Sequence, residues 1–396
     1  MEQLLSDRIK ATPASFIRSI LKVAADPAVI SFAGGLPNPQ AFPSEELLAS
    51  MERVVKTHGD QAFQYSLTAG LPQLRHTVAE RYRTRFGLDV TDDDILITTG
   101  SQQALDLLGK VLLNKGDHVV VEKPSYLGAI QAFSQYEPTF TPVELTNEGI
   151  DVSQLAQALR ANPKLIYTIP DFQNPTGLTY TAARREEVFE ALRNRDVVLV
   201  EDDPYGDLRF EGERLPYIGA GRLPHSVVLG TFSKTVTPGM RVGYLLCPDR
   251  ELLRHLSVAK EASDLHTNVF AQFVIEDYLM HNDYEAHIAR IRALYQTQAQ
   301  AMMDAIDRHF PRSVRYTRPE GGMFLWTELP QGLSSRKLFD RALDRGVAFV
   351  PGDPFYTDGR AACTMRLNYT NANPPTIEEG IKRLGAAIEE LLAQQA

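Results

Sequence analysis

The chain has 396 residues, of which 43% are hydrophobic and 23% charged, and its formal net charge is -9 at pH 7. This composition is typical of a globular protein with one large or two moderate domains, and it argues against a nucleic-acid-binding protein. No segment approaches the about 20 apolar residues that span a bilayer, no secretory signal opens the chain, and two cysteines are too few for a disulfide framework or a cysteine zinc site. We therefore expect a cytoplasmic protein with no membrane segment and no metal site.

The first part of the chain is predicted to be helical, with one irregular arm. Residues 14–24 carry apolar side chains on one helical face. The glycines and prolines of "ISFAGGLPNPQAFP" then break the pattern and indicate a loop or arm. From about 44 to 87 the pattern is helical again, interrupted by "FQYSLTAGLP".

Six short apolar runs follow, with helical stretches between most of them. The runs are "DILITTG", "DHVVVE", "KLIYTIP", "DVVLVEDD", "SVVLGTFS" and "RVGYLLCP", and the helical stretches are 101–114, 126–136, 152–161 and 181–195. Continuous apolar strands that alternate with helices predict a parallel sheet covered on both faces. The loop between the last two runs is too short for a parallel crossover, so this pair is predicted to be antiparallel.

The C-terminal part is predicted to form a second, smaller α/β unit. A long helix over 284–308 precedes strands in "VRYTRPEGGMFLWTEL", "VAFVPG" and "CTMRLNY" and helices near 336–345 and 376–393. The boundary between the units is expected inside the long helix. We therefore predict an N-terminal helix and arm over 1–43 that belong to the small domain, a large domain over 44–290 and a small domain over 291–396.

Chemically capable side chains follow the ends of the predicted strands. In open α/β sheets, ligands bind where the carboxyl ends of the strands meet. The residues at these ends are Gly100, Ser101 and Gln102, then Ser125 and Tyr126, then Asn174, then Asp202, Asp203 and Tyr205, and finally Ser233 and Lys234.

Each of these residues has an ordinary structural explanation when taken alone. Ser101 could cap a helix, Asn174 could form a turn and Tyr126 could pack in the core. Arg241 could form an ion pair at a strand end. Lys234 is less ordinary, because it lies between two apolar strands with a hydroxyl on each side, which favours a buried reactive amine. Together the set supplies a phosphate site, a lysine, an acid for a pyridinium nitrogen, donors for a phenolate and an aromatic ring, which indicates a pyridoxal phosphate pocket.

Several motifs resemble the fold-type-I pyridoxal-phosphate aminotransferases of class I/II over essentially the whole chain. They are "SFAGGLPNP", "QYSLTAGLPQLR", "TTGSQQALDL", "QNPTG", "EDDPYGDL", "SKTVTPGMRVGY", "YTRPEGGMFLW" and "MRLNY". They are similar to the branch of 2-aminoadipate and kynurenine-type aminotransferases and of aminotransferase-like regulator domains. The resemblance implies a PLP-transferase fold with a mostly parallel, mixed seven-stranded sheet in the large domain, and a homodimer with shared active sites.

The resemblance also implies a role for each site residue. The catalytic residues would be Lys234, which bonds the cofactor and moves the proton, Asp202, which pairs with the pyridinium nitrogen, and Tyr205. Asn174 and Tyr205 would bond the phenolic oxygen, and Tyr126 would stack on the ring. The phosphate would be held by Ser101, Gln102, Ser233 and Arg241, together with Tyr65 of the neighbouring subunit. Substrate would be bound by Arg366, which clamps the α-carboxylate, by Asn174 and Gly35, and by Arg18.

The function implied is amino transfer from an L-amino acid of the 2-aminoadipate, aromatic or branched-chain type to 2-oxoglutarate by a ping-pong cycle. A lyase or decarboxylase on the same fold remains an alternative, because the reaction depends on which Cα bond lies perpendicular to the ring. A regulator domain is a further alternative, but we find no helix-turn-helix pattern before the sheet region. Arg18 is either a solvated cation or the partner of a distal substrate carboxylate.

Overall fold

The structure is a computed structural model, and it describes residues 4–11, 20, 26–359 and 362–394. The predicted helix over 14–24 therefore lies outside the described residues, except for Ile20, and so does Arg18. The described strands are, in chain order, β1 (Ile30–Ser31), β2 (Ile95–Thr98), β3 (His118–Lys123), β4 (Thr139–Thr146), β5 (Gly149–Ile150), β6 (Leu165–Thr168), β7 (Val198–Asp202), β8 (Ser226–Thr231), β9 (Gly243–Leu246), β10 (Arg315–Tyr316), β11 (Phe324–Glu328), β12 (Val347–Ala348), β13 (Val350–Pro351) and β14 (Thr364–Asn368).

The large sheet has the strand order β2-β9-β8-β7-β6-β3-β4-β5. Strands β8, β7, β6, β3 and β4 run parallel to one another, whereas β9 is antiparallel to both β8 and β2. This confirms the mixed sheet and the reversed strand directly after Lys234. The sheet contains the six strands predicted from the apolar runs and two more, β4 and the two-residue edge strand β5, which turns back against β4. It therefore has eight strands where the resemblance implies seven.

The described helices agree with the predicted positions to within a few residues, and three more are present. They are α1 (Asp7–Ala11), α2 (Ser44–His58), α3 (Pro72–Phe86), α4 (Ser101–Leu112), α5 (Leu127–Ser134), α6 (Val152–Ala158), α7 (Ala182–Leu192), α8 (Arg250–Asp264), α9 (Val269–His281), α10 (Tyr284–His309), α11 (Ser335–Asp344) and α12 (Pro374–Ala393). The helices not predicted are the five-residue α1, and α8 and α9. Apolar residues surround much of α9, so it lacks the one-sided pattern that marks a surface helix.

Both faces of the large sheet are buried, as the apolar strands predict. In β3, Val119 and Val121 pack in one hydrophobic cluster, whereas Val120 between them packs in a second cluster. Successive side chains of a strand point to opposite faces, so the two clusters lie on the two sides of the sheet. Each buried valine stabilises the fold by about 1.5–3 kcal/mol relative to an exposed one. The strands are thereby held rigidly, and the loops at their ends start from fixed points.

A second, antiparallel sheet has the order β10-β11-β14-β13 and carries Arg366 on β14. The arm reaches this region through β1, which pairs with β12. Beyond β1, the Phe32 N–H donates to Ala348 O at 2.8 Å, and the Phe32 carbonyl accepts from Asn368 N at 2.8 Å. These bonds hold the arm segment 33–35 beside β14.

The directions of the strands decide which residues share an edge of the large sheet. The carboxyl ends of the parallel strands β3, β6, β7 and β8 meet there, together with the end of β2. Because β9 is reversed, its first residues lie at the same edge, and Arg241 precedes them. In the part of the chain that the structure describes, no helix is both long and apolar enough to cross a membrane.

Candidate active site

A cavity of about 380 Å³ opens at this edge of the sheet, between the large sheet, β14 and the arm. It is lined by Gly35, Ser101, Gln102, Tyr126, Leu127, Gly128, Gln131, Ile169, Asn174, Asp202, Pro204, Tyr205, Thr231, Ser233, Lys234, Arg241, Phe324 and Arg366. The lining therefore combines residues from five strand ends of the large sheet, from two strands of the second sheet, β11 and β14, and from the arm.

Lys234 lies in the loop between β8 and β9, and its side chain faces the cavity. Its Nζ donates a hydrogen bond to the Gly35 carbonyl at 2.8 Å. Burial lowers the pKa of the Lys234 amine to about 8, and the nearby Arg366 and Arg241 add to this effect. A lowered pKa makes the neutral, nucleophilic amine available closer to neutral pH.

Asp202 is the last residue of β7 and is 2% exposed. Its Oδ2 accepts a hydrogen bond from the Tyr167 hydroxyl at 2.7 Å. No donor among the described residues reaches its buried Oδ1. Burial raises the pKa of the Asp202 carboxyl to about 7, against the opposing effect of the Tyr167 bond. A buried carboxylate oxygen with no partner faces a site where a protonated ring nitrogen would satisfy it.

The start of α4 offers donors suited to an anion. No side chain caps α4, and Ser101 and Gln102 of its first turn line the cavity. Arg241 has a left-handed backbone, with φ 56°, and its Nη1 lies 3.4 Å from Ser233 Oγ. Gly100 permits this approach, because a Cβ there would lie 2.4 Å from Arg241 Nη2. Helix N–H groups, serine hydroxyls and a guanidinium are the donors that bind phosphate.

Arg366 is a buried cation without a carboxylate partner in the described chain. Its Nη1 donates to Asn174 Oδ1 at 2.8 Å and its Nη2 to Ala33 O at 2.9 Å, while its buried Nε has no acceptor among these residues. The guanidinium lies 4.3 Å from the centroid of the Phe324 ring. Burial lowers the pKa of Arg366 to about 10. A desolvated guanidinium of this kind is ready for a carboxylate ligand.

Asn174 connects this guanidinium with Tyr205. The Asn174 amide nitrogen donates to the Tyr205 hydroxyl at 3.4 Å, while its oxygen accepts from Arg366. Burial raises the pKa of Tyr205, so this phenol stays protonated and can donate a hydrogen bond. Tyr126 presents its ring on another wall of the cavity.

The structure brings together most of the residues that the sequence indicates. Those that line the one cavity are Gly35, Ser101, Gln102, Tyr126, Asn174, Asp202, Tyr205, Ser233, Lys234, Arg241 and Arg366. Tyr65 does not line it and is 77% exposed, with its ring 5.8 Å from that of His266. Arg18 lies outside the described residues.

Other residues of the site do not follow from the strand ends. Tyr167 lies inside β6 and reaches Asp202 on the neighbouring strand. The signal for Tyr167 in the sequence is a tyrosine hydroxyl within a strand that is predicted to be buried. The cavity is also lined by Leu127 and Gln131 from helix α5 and by Phe324 from strand β11. Ordinary core packing explains Leu127 and Phe324 equally well, and an ordinary surface position explains Gln131.

The donor set fits pyridoxal phosphate. The unpartnered Oδ1 of Asp202 matches a pyridinium N–H, the Lys234 amine matches the cofactor aldehyde, and the uncapped start of α4 matches the phosphate. The described residues contain no group of three or more histidine, cysteine or acidic side chains that could hold a metal ion.

Comparison with known proteins gives one family over almost the entire chain. Residues 33–384 match the family described as aminotransferase class I and II. The chain is 45% identical to the 2-aminoadipate transaminase of Thermus thermophilus over 96% of this chain and 95% of that protein. It is 41% identical to aromatic-amino-acid aminotransferase 1 of Thermococcus litoralis over 98% of this chain and 95% of that protein.

A solved structure is similar over the full length. It is the α-aminoadipate aminotransferase of Thermus thermophilus, complexed with N-(5'-phosphopyridoxyl)-L-leucine. The TM-score is 0.93 and the identity is 42%, with 99% of each chain covered.

Proposed function

The chain belongs to the class I and II aminotransferases and is a pyridoxal-phosphate-dependent enzyme, and from this membership we propose its substrates, its residue roles and its assembly. It moves an amino group from an L-amino acid of the 2-aminoadipate, aromatic or branched-chain type to 2-oxoglutarate by a ping-pong cycle. The donors are suggested by the relatives named for 2-aminoadipate and aromatic amino acids. The observation that carries the proposal is a single cavity lined by Lys234, by Asp202, whose Oδ1 has no donor among the described residues, and by Arg366.

Pyridoxal phosphate, when bound, supplies an electron sink for the negative charge that develops on the substrate α-carbon. Asp202 holds a proton on the ring nitrogen, so the sink keeps its positive charge. Lys234 would hold the cofactor at its aldehyde, and its freed amine would take the proton from the substrate α-carbon and deliver it to the cofactor carbon that bore the aldehyde. Its lowered pKa supports this role, because the amine must be neutral to accept a proton.

Arg366 orients the substrate by a bidentate pair with its α-carboxylate. The support is that this guanidinium is 3% exposed and has only neutral partners in the described chain. Asn174 and Tyr205 donate to the phenolic oxygen of the ring, Tyr126 stacks on the ring, and Ser101, Gln102, Ser233 and Arg241 hold the phosphate. Water is excluded by Phe324 and by the arm segment that carries Gly35.

We further propose a homodimer in which Tyr65 completes the phosphate site of the neighbouring subunit. Segment 63–67 exposes three large hydrophobic side chains, with Phe63, Tyr65 and Leu67 at 68%, 77% and 56%. Phe63 stacks on Phe270 at 5.6 Å, so this surface is ordered within its own chain. Exposed apolar surface of this kind marks an interface with another protein chain.

Mixing two inactive subunits tests the shared site. We expect Lys234→Ala and Tyr65→Phe homodimers to be impaired, whereas each hybrid dimer contains one site with Lys234 from one subunit and Tyr65 from the other. Random pairing of equal amounts should restore roughly a quarter of the wild-type sites. If the mixture is no more active than its two components measured separately, Tyr65 does not act across an interface.

Specificity for acidic donors is proposed to depend on Arg18. The described lining contains three cations, Lys234, Arg241 and Arg366, and each already has a role in binding the cofactor or the α-carboxylate. A distal carboxylate therefore needs another cation, and Arg18 lies in the N-terminal segment that we expect to act as a lid over the mouth.

We expect Arg18→Ala to lower kcat/KM roughly ten- to a hundredfold for 2-aminoadipate and glutamate, because a charge-assisted pair to a carboxylate contributes about 1.5–3 kcal/mol. Leucine and phenylalanine, which have no second carboxylate, should be nearly unaffected. The assay compares all four donors with 2-oxoglutarate as the acceptor. An equal fall for all four would contradict a carboxylate contact, and failure of the wild type to make a keto acid from any of them would contradict the function itself.

We also propose the domain division at residues 43 and 290, and a cytoplasmic location. The division is supported by β1, which joins the arm to β12, and by the 26-residue helix α10, which spans the second boundary. The location is supported by the two cysteines, Cys247 and Cys363, both of which are free thiols.

A further inference from the structure

One buried glutamate, which does not line the cavity, lies between two loops of the site and contacts one of them. The loop after β3 carries Tyr126 and the loop after β6 carries Asn174, and Glu122 lies near the end of β3 between them. We propose that Glu122 is a positioning residue, which holds the Asn174 loop at the distance from the Tyr126 loop that the cofactor and substrate require. This inference rests on the proposed function and adds a residue that does not itself touch either ligand.

The surroundings of Glu122 consist of hydrogen-bond donors. Its Oε1 accepts from the Ile169 N–H at 3.0 Å and from the Tyr180 hydroxyl at 2.8 Å, and its Oε2 accepts from Gln173 Nε2 at 2.8 Å. The residue is 1% exposed. Three donors and no acceptor match an ionised carboxylate, which can only accept. Burial raises the pKa of Glu122 to about 7, and the three hydrogen bonds oppose that rise by favouring the ionised form.

Gln173 cannot turn its amide to accommodate another partner. Its Oε1 accepts from the Thr176 N–H at 2.8 Å and from Thr176 Oγ1 at 2.7 Å. Its Nε2 donates to Glu122 and also to the Pro124 carbonyl at 3.0 Å. Gln173 therefore joins its own loop to the loop that leads to Tyr126, and its orientation is fixed from both ends.

The contact between Glu122 and Gln173 affects the ligands through Asn174. Asn174 follows Gln173 directly, and its oxygen accepts from Arg366 at 2.8 Å. Its amide nitrogen points to Tyr205, where the phenolic oxygen of the ring is proposed to bind. A shift of the loop by a fraction of an ångström would thus disturb both the carboxylate clamp and the donor to the ring.

Glu122→Gln tests the proposal, because it keeps the size and removes the charge. Whichever way the new amide is oriented, its NH₂ group faces either the Ile169 N–H or the fixed Gln173 NH₂, so two donors oppose each other. We expect a roughly ten- to hundredfold fall in kcat/KM, mostly as a higher KM because the clamp is displaced. The pH midpoint at which the visible absorbance of the lysine-bound cofactor changes should also rise. A donor to the ring oxygen favours the deprotonated form, and the displaced Asn174 would no longer donate well.

Asn174→Ala gives the reference for that spectral shift. If Glu122 acts through Asn174, the midpoint in Asn174→Ala should move in the same direction, and adding Glu122→Gln should move it little further. Additive shifts would overturn the proposed route through Asn174.

Glu201→Gln is the matched control for lost stability. Glu201 is also buried and accepts from the N–H groups of Ile218 at 2.7 Å and Gly219 at 2.8 Å, but its side chain lies on the sheet face opposite to that of Asp202. Glu201→Gln and Glu122→Gln should both lower the melting temperature. Glu201→Gln should leave the pH midpoint of the cofactor absorbance and the KM near their wild-type values. An equal midpoint shift in both variants would overturn the proposal.

Exchanging the two partners gives a rescue. In Glu122→Gln/Gln173→Glu, the new carboxylate can accept from Thr176 and from the new amide at 122, whose oxygen accepts from Ile169 and Tyr180. The rescue is partial, because the carboxylate cannot replace the bond that Gln173 Nε2 donates to the Pro124 carbonyl at 3.0 Å. Gln173→Glu alone places two buried carboxylates in contact and should be severely impaired. We expect the double variant to bind substrate better than Gln173→Glu, because both variants lack the Pro124 bond and only the single variant has the carboxylate pair. A double variant no better than Gln173→Glu would overturn the inference. Failure of the wild type to bind the cofactor or transaminate would instead overturn the proposed function.

Discussion

Replacing Lys234 by alanine is expected to abolish multiple-turnover transamination and the visible absorbance of the lysine-bound cofactor. Lys234 carries the only lysine amine that lines the described cavity, and its pKa is already lowered to about 8. It is proposed both to bind the cofactor and to carry the substrate proton, so no neighbouring group can replace it. Loss of general acid–base catalysis alone typically costs two to four orders of magnitude in rate, and loss of the covalent link adds to that.

The controls for Lys234→Ala separate chemistry from folding. Lys234→Arg keeps the charge and the hydrogen bond to Gly35 but cannot bond the aldehyde, so it should be equally inactive. Melting temperatures measured without the cofactor should stay close to wild type for both variants, because the amine faces a cavity. Multiple turnover near the wild-type rate in either variant would refute the assignment of this lysine.

Asp202→Asn is expected to leave the cofactor bound and to lower kcat by about two to four orders of magnitude. A neutral amide cannot hold the proton on the ring nitrogen, so the electron sink is lost. Breaking a buried charged pair costs about 3–5 kcal/mol, and each 1.36 kcal/mol is a tenfold change in rate. Single-turnover rates with saturating amino donor measure this effect directly.

Asp203→Asn is the matched control, because Asp203 is the adjacent acid. Asp203 accepts from the Tyr217 hydroxyl at 2.6 Å and from the Gly206 N–H at 2.8 Å, and it does not line the cavity. We expect it to affect stability more than kcat. If Asp203→Asn is the damaging change and Asp202→Asn is not, the acid of the cofactor site has been assigned to the wrong residue.

The strand ends of the site could be predicted from the sequence because they depend on local patterns. The apolar run before Asp202 and the run before Lys234 each specify a buried strand, and parallel strands bring their ends to one edge. The reversed strand β9 followed from the short loop after Lys234, and it explains why Arg241 reaches the same cavity.

Contacts between distant segments could not be predicted in this way. The bond from Tyr167 to Asp202 depends on how two strands are aligned side by side, and the bond from Lys234 to Gly35 depends on the pairing of β1 with β12. Two-residue strands such as β1 and β5 carry too few residues to show a period. Strand β4 is only partly buried and contains Pro142, so no continuous apolar run marked it. The role of Glu122 likewise depends on three donors in the connection between β6 and α7, which is distant in sequence from β3.

The central claim is tested most directly by watching the cofactor through the two half-reactions separately. An amino donor such as 2-aminoadipate or leucine, added without a keto acid, should convert the cofactor from its lysine-bound form to its amino form. One equivalent of donor should be consumed per site. The corresponding keto acid should appear in the same amount. Addition of 2-oxoglutarate should then restore the original spectrum and yield one equivalent of glutamate. Release of ammonia or carbon dioxide from the donor, with no stable amino form of the cofactor, would contradict an aminotransferase and favour a lyase or decarboxylase on the same fold.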